Sequence, residues 1–193
     1  NADYYQELFK NSGFKVISNY CSTIYKNLDK NYKRLDKFEQ IFKDKKITID
    51  EFDPQNFDSQ IKQIFDITSC SFVNNFLYSP IEFEEFYTMY EPIKKFLDPK
   101  FVLIAKNEQL NPIAFIFCYP DFFNKTKKTL VIKTLAQIED SKYRGLGSYL
   151  VEYIHKKAHF LGYNQIIHAL MHINNVSKNI IKGGEIYQQY ELL

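Results

Sequence analysis

The sequence has only three cysteines, Cys21, Cys70 and Cys118, and none stands in a CxxC pair or at zinc-finger spacing. That excludes a disulfide-stapled small domain and a structural zinc ribbon. Their odd number, and the apolar neighbours of Cys70 and Cys118, read as buried reduced thiols in a cytoplasmic protein. No apolar run reaches the ~20 residues that a membrane-spanning helix needs, and no signal-peptide pattern is present. An excess of one charge sign is also missing. Twenty-five Lys and Arg stand against 23 Asp and Glu, a formal charge of +2, and the two signs are interspersed. No bulk attraction to nucleic acid or to a membrane surface is expected. There is no internal repeat, no low-complexity segment, no GxGxxG and no Gly-Lys-Ser/Thr phosphate loop. Gly-x-Ser-x-Gly and paired Cys-His signatures of covalent nucleophiles are absent too.

What is present is apolar and aromatic. In 193 residues, 45% are hydrophobic and 17% aromatic, enough for a substantial core. The length suits one domain with an appendage, or one domain and a fragment. The chain opens on Asn1-Ala2 rather than Met, consistent with the later part of a longer protein.

The stretch 127–163 organises the rest. Thr129 to Ala136 is an apolar run that reads as a strand. A polar loop with Lys142, Arg144, Gly145 and Gly147 follows. Leu150, Val151, Ile154, Ala158 and Leu161 then repeat at helical spacing, and Gly162 stops the helix. Strand, glycine loop and helix form a geometry suited to anions. The first amides of a helix have no internal partner, the dipole adds positive potential there, and glycine lets a phosphate approach the backbone. An ordinary left-handed turn at a helix start would use the same glycines.

Upstream, residues 3–12 read as a helix, Phe14 to Ile24 as a strand and 28–44 as a second helix. Ile47 to Asp50 alternates as a strand. Asp53-Pro54 opens a helix carrying Phe57, Ile61, Ile64 and Phe65, and Ser79-Pro80 opens another with Phe83, Phe86, Tyr87 and Tyr90. Asn74, Asn75 and Tyr78 fall on the loop between them, as binding residues or as turn and core. Phe101 to Ala105 and Pro112 to Tyr119 form a hairpin. After Gly162 come a strand, Gln165 to Met171, a short helix or turn from Asn174 to Lys182, and a final strand from Ile186 to Leu192.

Lys142-Tyr143-Arg144-Gly145-Leu146-Gly147 resembles the pyrophosphate signature Gln/Arg-x-x-Gly-x-Gly/Ala of the GNAT acyl-CoA N-acyltransferase superfamily, with lysine at the first position. A second register starting at Arg144 would put Tyr149 at the small-residue position. The element order from residue 46, β-α-α-β-β-β-α-β-α-β, is that of the same family. The resemblance implies an α/β (α+β) fold with a mixed central sheet flanked by helices over 46–193. Residues 1–45 are then an N-terminal extension, similar at YYQELFKNSGFKVISNY to the end of a preceding module in two-part GNAT proteins, and could contact a missing N-terminal domain.

The resemblance also implies acetyl-CoA or another acyl-CoA as co-substrate, an amine acceptor, direct transfer in a ternary complex, and no metal. Backbone groups of Leu135 and Gln137 would hold the pantetheine arm, with an amide near Leu135 facing the oxyanion. Amides from Arg144 through Gly145, Leu146 and Gly147 to Ser148 would hold the pyrophosphate, with Lys142 and Tyr143 opening the cofactor-binding motif. Asn175, in Asn175-x-Ser177, would contact the cofactor or else cap a helix.

The chemistry needs a base for the acceptor ammonium and an acid for the leaving thiolate. Lys182 stands where many family members place the acid tyrosine; Tyr187 and Tyr190 are nearby alternatives. Glu139 or Asp140 could act as base, or be solvated loop carboxylates. His168 and His172, at even spacing on one face of a strand, could titrate near neutrality or be structural. The candidates taken forward are Glu139, His172 and Tyr187. His155 and His159 have i,i+4 spacing but lack the Glu of HExxH, so a zinc site is not expected. The missing tyrosine and the absence of a carboxylate from Thr129–Ala136 leave two rivals: a degenerate module that binds CoA or a partner without turnover, and a purely structural domain.

Overall fold

The computed structural model describes residues 4–29, 32–175 and 180–193. Its frame is one seven-stranded sheet. Strands β1 (Ser18–Tyr25), β2 (Thr48–Glu51), β3 (Val102–Lys106), β4 (Pro112–Pro120), β5 (Thr129–Gln137), β6 (Gln165–His172) and β7 (Glu185–Leu192) lie in the order β2-β3-β4-β5-β6-β1-β7. Every neighbouring pair is antiparallel except β5 and β6. That parallel pair needs a crossover, which the helix between them supplies.

The helices are α1 (Tyr4–Asn11), α2 (Lys33–Asp44), α3 (Phe57–Ser71), α4 (Phe83–Tyr90) and α5 (Leu146–Phe160). Helix α5 lays Leu146, Leu150, Ile154 and Ala158 on one face of the sheet, against Leu130, Ile132 and Ile166. Helix α2 packs beside it through Leu35 and Phe42. On the other face, Phe57, Ile61, Ile64 and Ile67 of α3 and Phe86 of α4 cover Val102, Ile104 and Phe115. Before α3, Asp53 accepts the Gln55 N–H and the chain makes one 3-10 turn over Pro54–Asn56, so proline begins that turn rather than the α-helix. Among the described residues, no helix is long and apolar enough to cross a membrane.

Two features depart from the sequence expectations. Cys70 is exposed, while Cys21 and Cys118 are buried. Its apolar neighbours misled, because it is rotated off the stripe that Ile61, Ile64 and Ile67 turn to the sheet. The segment before residue 46 also contributes β1, which pairs with β6 on one side and β7 on the other. Five consecutive residues of β1, Cys21 to Tyr25, are buried. The Tyr25 hydroxyl donates to Ile181 O at 3.0 Å, joining this strand to the segment before β7. Residues 176–179, including Ser177 and part of the helix or turn expected over 174–182, lie outside the described residues.

Candidate functional site

The glycine loop joins β5 to α5. Asp140 accepts the Lys142 N–H and starts a 3-10 turn over Ser141–Tyr143. Gly145 follows as the N-cap of α5 with φ of +92°. A glycine has no side chain to cap the helix, and Gln137 of β5 does this instead. The Gly147 N–H donates to Gln137 Oε1 at 2.8 Å, and Gln137 Nε2 donates to Tyr143 O at 3.2 Å. One carboxamide thus closes both ends of the loop. The Arg144 N–H donates to Ser141 O at 3.2 Å, and the Tyr149 N–H closes the first helical turn on Gly145 O at 2.9 Å. Two of the amides proposed for pyrophosphate, those of Arg144 and Gly147, therefore already have partners.

Helix α2 supports the loop from behind. A Cβ built on Gly145 would lie 2.8 Å from Phe38 Cε1. Lys45 Nζ donates to Lys142 O, and Asn107 Nδ2 donates to the hydroxyl of buried Tyr143 at 3.4 Å. Lys142 Nζ sits 3.1 Å from Asp140. Hydrogen bonding to Tyr143 and to Asp140 raises the Lys142 pKa, and the Lys142 backbone N–H lowers that of Asp140. Lys142, Arg144 and Glu139 are exposed, and Ser148 is half-buried.

Beside the loop the sheet opens. Strands β5 and β6 pair from Thr129↔Gln165 to Ile132↔His168 and no further. A register shift in β4–β5 leaves Lys133 without a partner between Cys118↔Ile132 and Phe117↔Thr134. Such a bulge bends and twists its strand. Beyond it, β5 stays with β4, while β6 stays with β1 at Met171↔Cys21 and His172↔Tyr20. The resulting gap is a cavity of ≈ 260 Å³ lined by Phe72, Asn75, Lys133, Thr134, Leu135, Val151, His168, Met171, Asn175 and Ile180, among others. Leu135 and Asn175 are thus brought together, and Asn75 of the α3–α4 loop joins them.

The candidates for acid and base are not brought together. Glu139 and Tyr187 line none of the cavities described among these residues, and Tyr187 is exposed on the edge strand β7. His172 accepts the Asn174 N–H on Nδ1 at 3.1 Å, and its ring meets Tyr20 edge-on at 5.3 Å and lies tilted 6.1 Å from Phe76. The even spacing of His168 and His172 placed both on one face. A register shift of β6 against β1, between Cys21 and Thr23, corrects this. His168 faces α5 and His172 faces Phe76, in the α3–α4 loop.

His168 lines the gap but is closed within the core. Its Nε2 lies 2.8 Å from His155 Nε2 of α5, and Tyr25 of β1 covers its ring at 4.4 Å. Both histidines are at most 5% exposed. Burial pushes the His168 pKa down to about 3, so this ring is neutral at physiological pH. Sequence reading had no means of finding the pair, because His155 and His168 sit on different elements. His159 is exposed. Among the described residues, no group of three or more His, Cys, Asp or Glu could hold a metal ion.

No family model matches the chain, and no curated protein is similar to it in sequence. Solved structures are similar in fold. A GCN5-related glucosamine N-acetyltransferase region of a fungal multi-domain GH3 β-N-acetylglucosaminidase matches over 97% of this chain and 22% of its own length, at TM-score 0.69 and 13% identity. A GCN5-related N-acetyltransferase from Sphaerobacter thermophilus matches over 97% of this chain and 54% of its own, at TM-score 0.65 and 12% identity. The chain thus spans about a fifth of the first and about half of the second. A NatC complex bound to Gag peptide and CoA matches over 69% of this chain and 80% of its own, at TM-score 0.52 and 19% identity. With its seven-stranded mixed sheet, helices on both faces and one splayed parallel pair, this chain has the fold of the GCN5-related N-acetyltransferases.

Proposed function

We propose that this chain is an N-acyltransferase that moves an acyl group from acyl-CoA to an amine by direct attack in a ternary complex. The observation that carries this reading is the parting of β5 and β6 beyond Ile132 and His168, next to the glycine loop. Beyond that point alternate backbone N–H and C=O groups of β5 have β4 on one side only, so the others face the gap. A pantetheine arm carries amides that can pair with such groups. The pyrophosphate would lie at the N-terminus of α5, over the loop from Lys142 to Ser148. There the Gln137 carboxamide would yield the Gly147 N–H to a phosphate oxygen. Acetyl-CoA is the simplest donor for this site.

In the transfer, the acceptor nitrogen forms a bond to the thioester carbonyl carbon, and a β5 amide near Leu135 stabilises the oxyanion. The C–S bond then breaks, the amine proton is lost, and the thiolate takes up a proton. Glu139, His172 and Tyr187 stand outside the gap, so proton transfer from any of them would run through water. That placement, with His168 closed within the core and made a weak base by burial, favours one rival: a module that binds CoA without turnover.

Calorimetric titration with CoA and acetyl-CoA, on wild type and Gly147→Asp, tests the reading. Gly147 suits this better than Gly145. Its Cβ would meet only Gln137 Oε1 at 3.4 Å and Leu135 Cδ2 at 3.6 Å, so the variant keeps the fold while adding a negative charge. The expected result is a Kd on the order of 1 μM, about −8 kcal/mol, weakened at least tenfold in the variant. Thiol release with an amine panel then separates turnover from binding alone. Absence of binding to the wild type would overturn both readings.

A further inference from the structure

A second cavity, of ≈ 180 Å³, lies between the sheet and the helices α3 and α4. Its walls include Ile61, Ile64 and Phe65 of α3, Phe86 of α4, and Phe115 and Phe117 of β4. No Asp, Glu, Lys, Arg or His is among its described lining residues. The Thr68 hydroxyl there is turned back to its own helix, where it donates to Ile64 O or Phe65 O at 3.0 and 2.8 Å. Two phenols, of Tyr78 and Tyr90, are in the wall, and burial raises the pKa of Tyr90.

This cavity adjoins the β5/β6 gap. Thr134 and Phe72 line both. The β5 bulge makes the connection. Leu130 and Ile132 face α5, and without the unpaired Lys133 the alternation would turn Thr134 the same way. With it, Thr134 and Ala136 face α3 and α4.

We propose that this cavity receives the hydrocarbon chain of a medium-chain acyl thioester, and that the protein's donor is longer than acetyl. The inference rests on the reading of the gap as the thioester site. With the thioester in the gap, its carbonyl lies beside Thr134, and the chain passes Thr134 and Phe72 into the cavity. An acetyl group would leave the space behind it empty, which close-packed interiors avoid. An amine acceptor would carry an ammonium or its neighbours into walls that offer no charge partner. A saturated chain needs no hydrogen bonds and gains from leaving water.

The test is a calorimetric series with acetyl-, butanoyl-, hexanoyl- and octanoyl-CoA, beside S-octanoyl-N-acetylcysteamine, which has the thioester but no nucleotide. Octanoyl-CoA carries six more methylenes than acetyl-CoA, and each one buried contributes about three- to fourfold, so burial of half of them already makes octanoyl-CoA bind roughly 30-fold tighter. Ser69→Phe puts a ring into the cavity from a half-buried α3 position and should bring that ratio close to one. A flat or falling series in wild type, with acetyl-CoA still bound, overturns the chain cavity and leaves the CoA reading standing. Octanoyl-N-acetylcysteamine binding that Ser69→Phe removes, without any CoA binding, supports the cavity and sinks the CoA reading. Leucinamide binding that is sensitive to Ser69→Phe, with a flat acyl series, assigns the cavity to an acceptor side chain and overturns the proposal. No binding by any probe overturns both.

Discussion

Gly145→Ala isolates the loop's backbone demand from its packing demand. Gly145 holds φ of +92°, which an L-residue adopts at a cost of about 1–2 kcal/mol. The new Cβ would also lie 2.8 Å from Phe38 Cε1 and 3.1 Å from Cζ, closer than carbon atoms approach. Phe38 stacks on Phe42 of the same helix, with ring centroids 5.9 Å apart. Moving it off its rotamer adds about 0.5–1.5 kcal/mol. The sum is about 1.5–3.5 kcal/mol, a fall in Tm of about 3–14 °C for a chain of this size. Urea unfolding followed by circular dichroism measures it. Phe38→Leu as a second change removes the ring, so Gly145→Ala in that background should cost only the backbone part, about 1–2 kcal/mol. The cycle should therefore show a coupling of about 1 kcal/mol. Gly147→Ala serves as the control. Its φ is not in the left-handed region and its Cβ meets only ordinary contacts, so it should be neutral or slightly stabilising. A Gly145→Ala protein within about 0.5 kcal/mol of wild type would refute the strain argument. Equal costs at both glycines would refute the assignment of the cap.

Gln137→Glu keeps the size of the side chain and its acceptor for the Gly147 N–H, but loses the donor to Tyr143 O. It should lower stability by about 1 kcal/mol and weaken acetyl-CoA binding at least ~10-fold, through a charge facing the pyrophosphate; unchanged affinity by calorimetry would place the phosphates elsewhere. Stability should also fall with acid through the buried histidine. His168 has its pKa pushed from 6.5 down to about 3 in the fold. The unfolded chain therefore binds the extra proton as pH drops below 6.5, and the fold loses about 1.4 kcal/mol per pH unit between 6.5 and 3. Unfolding free energies from urea titration at pH 7 and pH 5 should differ by about 2 kcal/mol from this group, and His168→Gln should flatten that difference; an equal slope in the variant would remove His168 as its source.

Much of the fold was legible because its signals are local. The stripe Leu150, Ile154, Ala158 repeats at 3.6 residues, and only a helix gathers such a stripe onto one face. The runs at 102–106 and 112–120 are apolar, bounded by turn residues and separated by a few residues, so a hairpin was readable. The glycine loop was legible for the same reason: Gly145 and Gly147 lie between a strand and a helix that both announce themselves. Gln137 was assigned only for its backbone. Its capping role depends on a rotamer reaching ten residues ahead, which no residue pattern encodes.

The sequence by itself determined which segments are helix and strand, the apolar faces they carry, and the glycines at the start of α5. Those follow from periodicity, propensity and the demands of single residues on the backbone. Only the tertiary structure decided that β1 enters the sheet between β6 and β7, because strand pairing joins residues 141 to 174 positions apart. It also decided the bulge at Lys133, which one unpaired residue creates and which turns Thr134 from one face of the sheet to the other. The pairing of His155 with His168 and the two adjoining cavities belong to the same class. They arise where elements meet, and each is set by the shape that the packed helices leave between them.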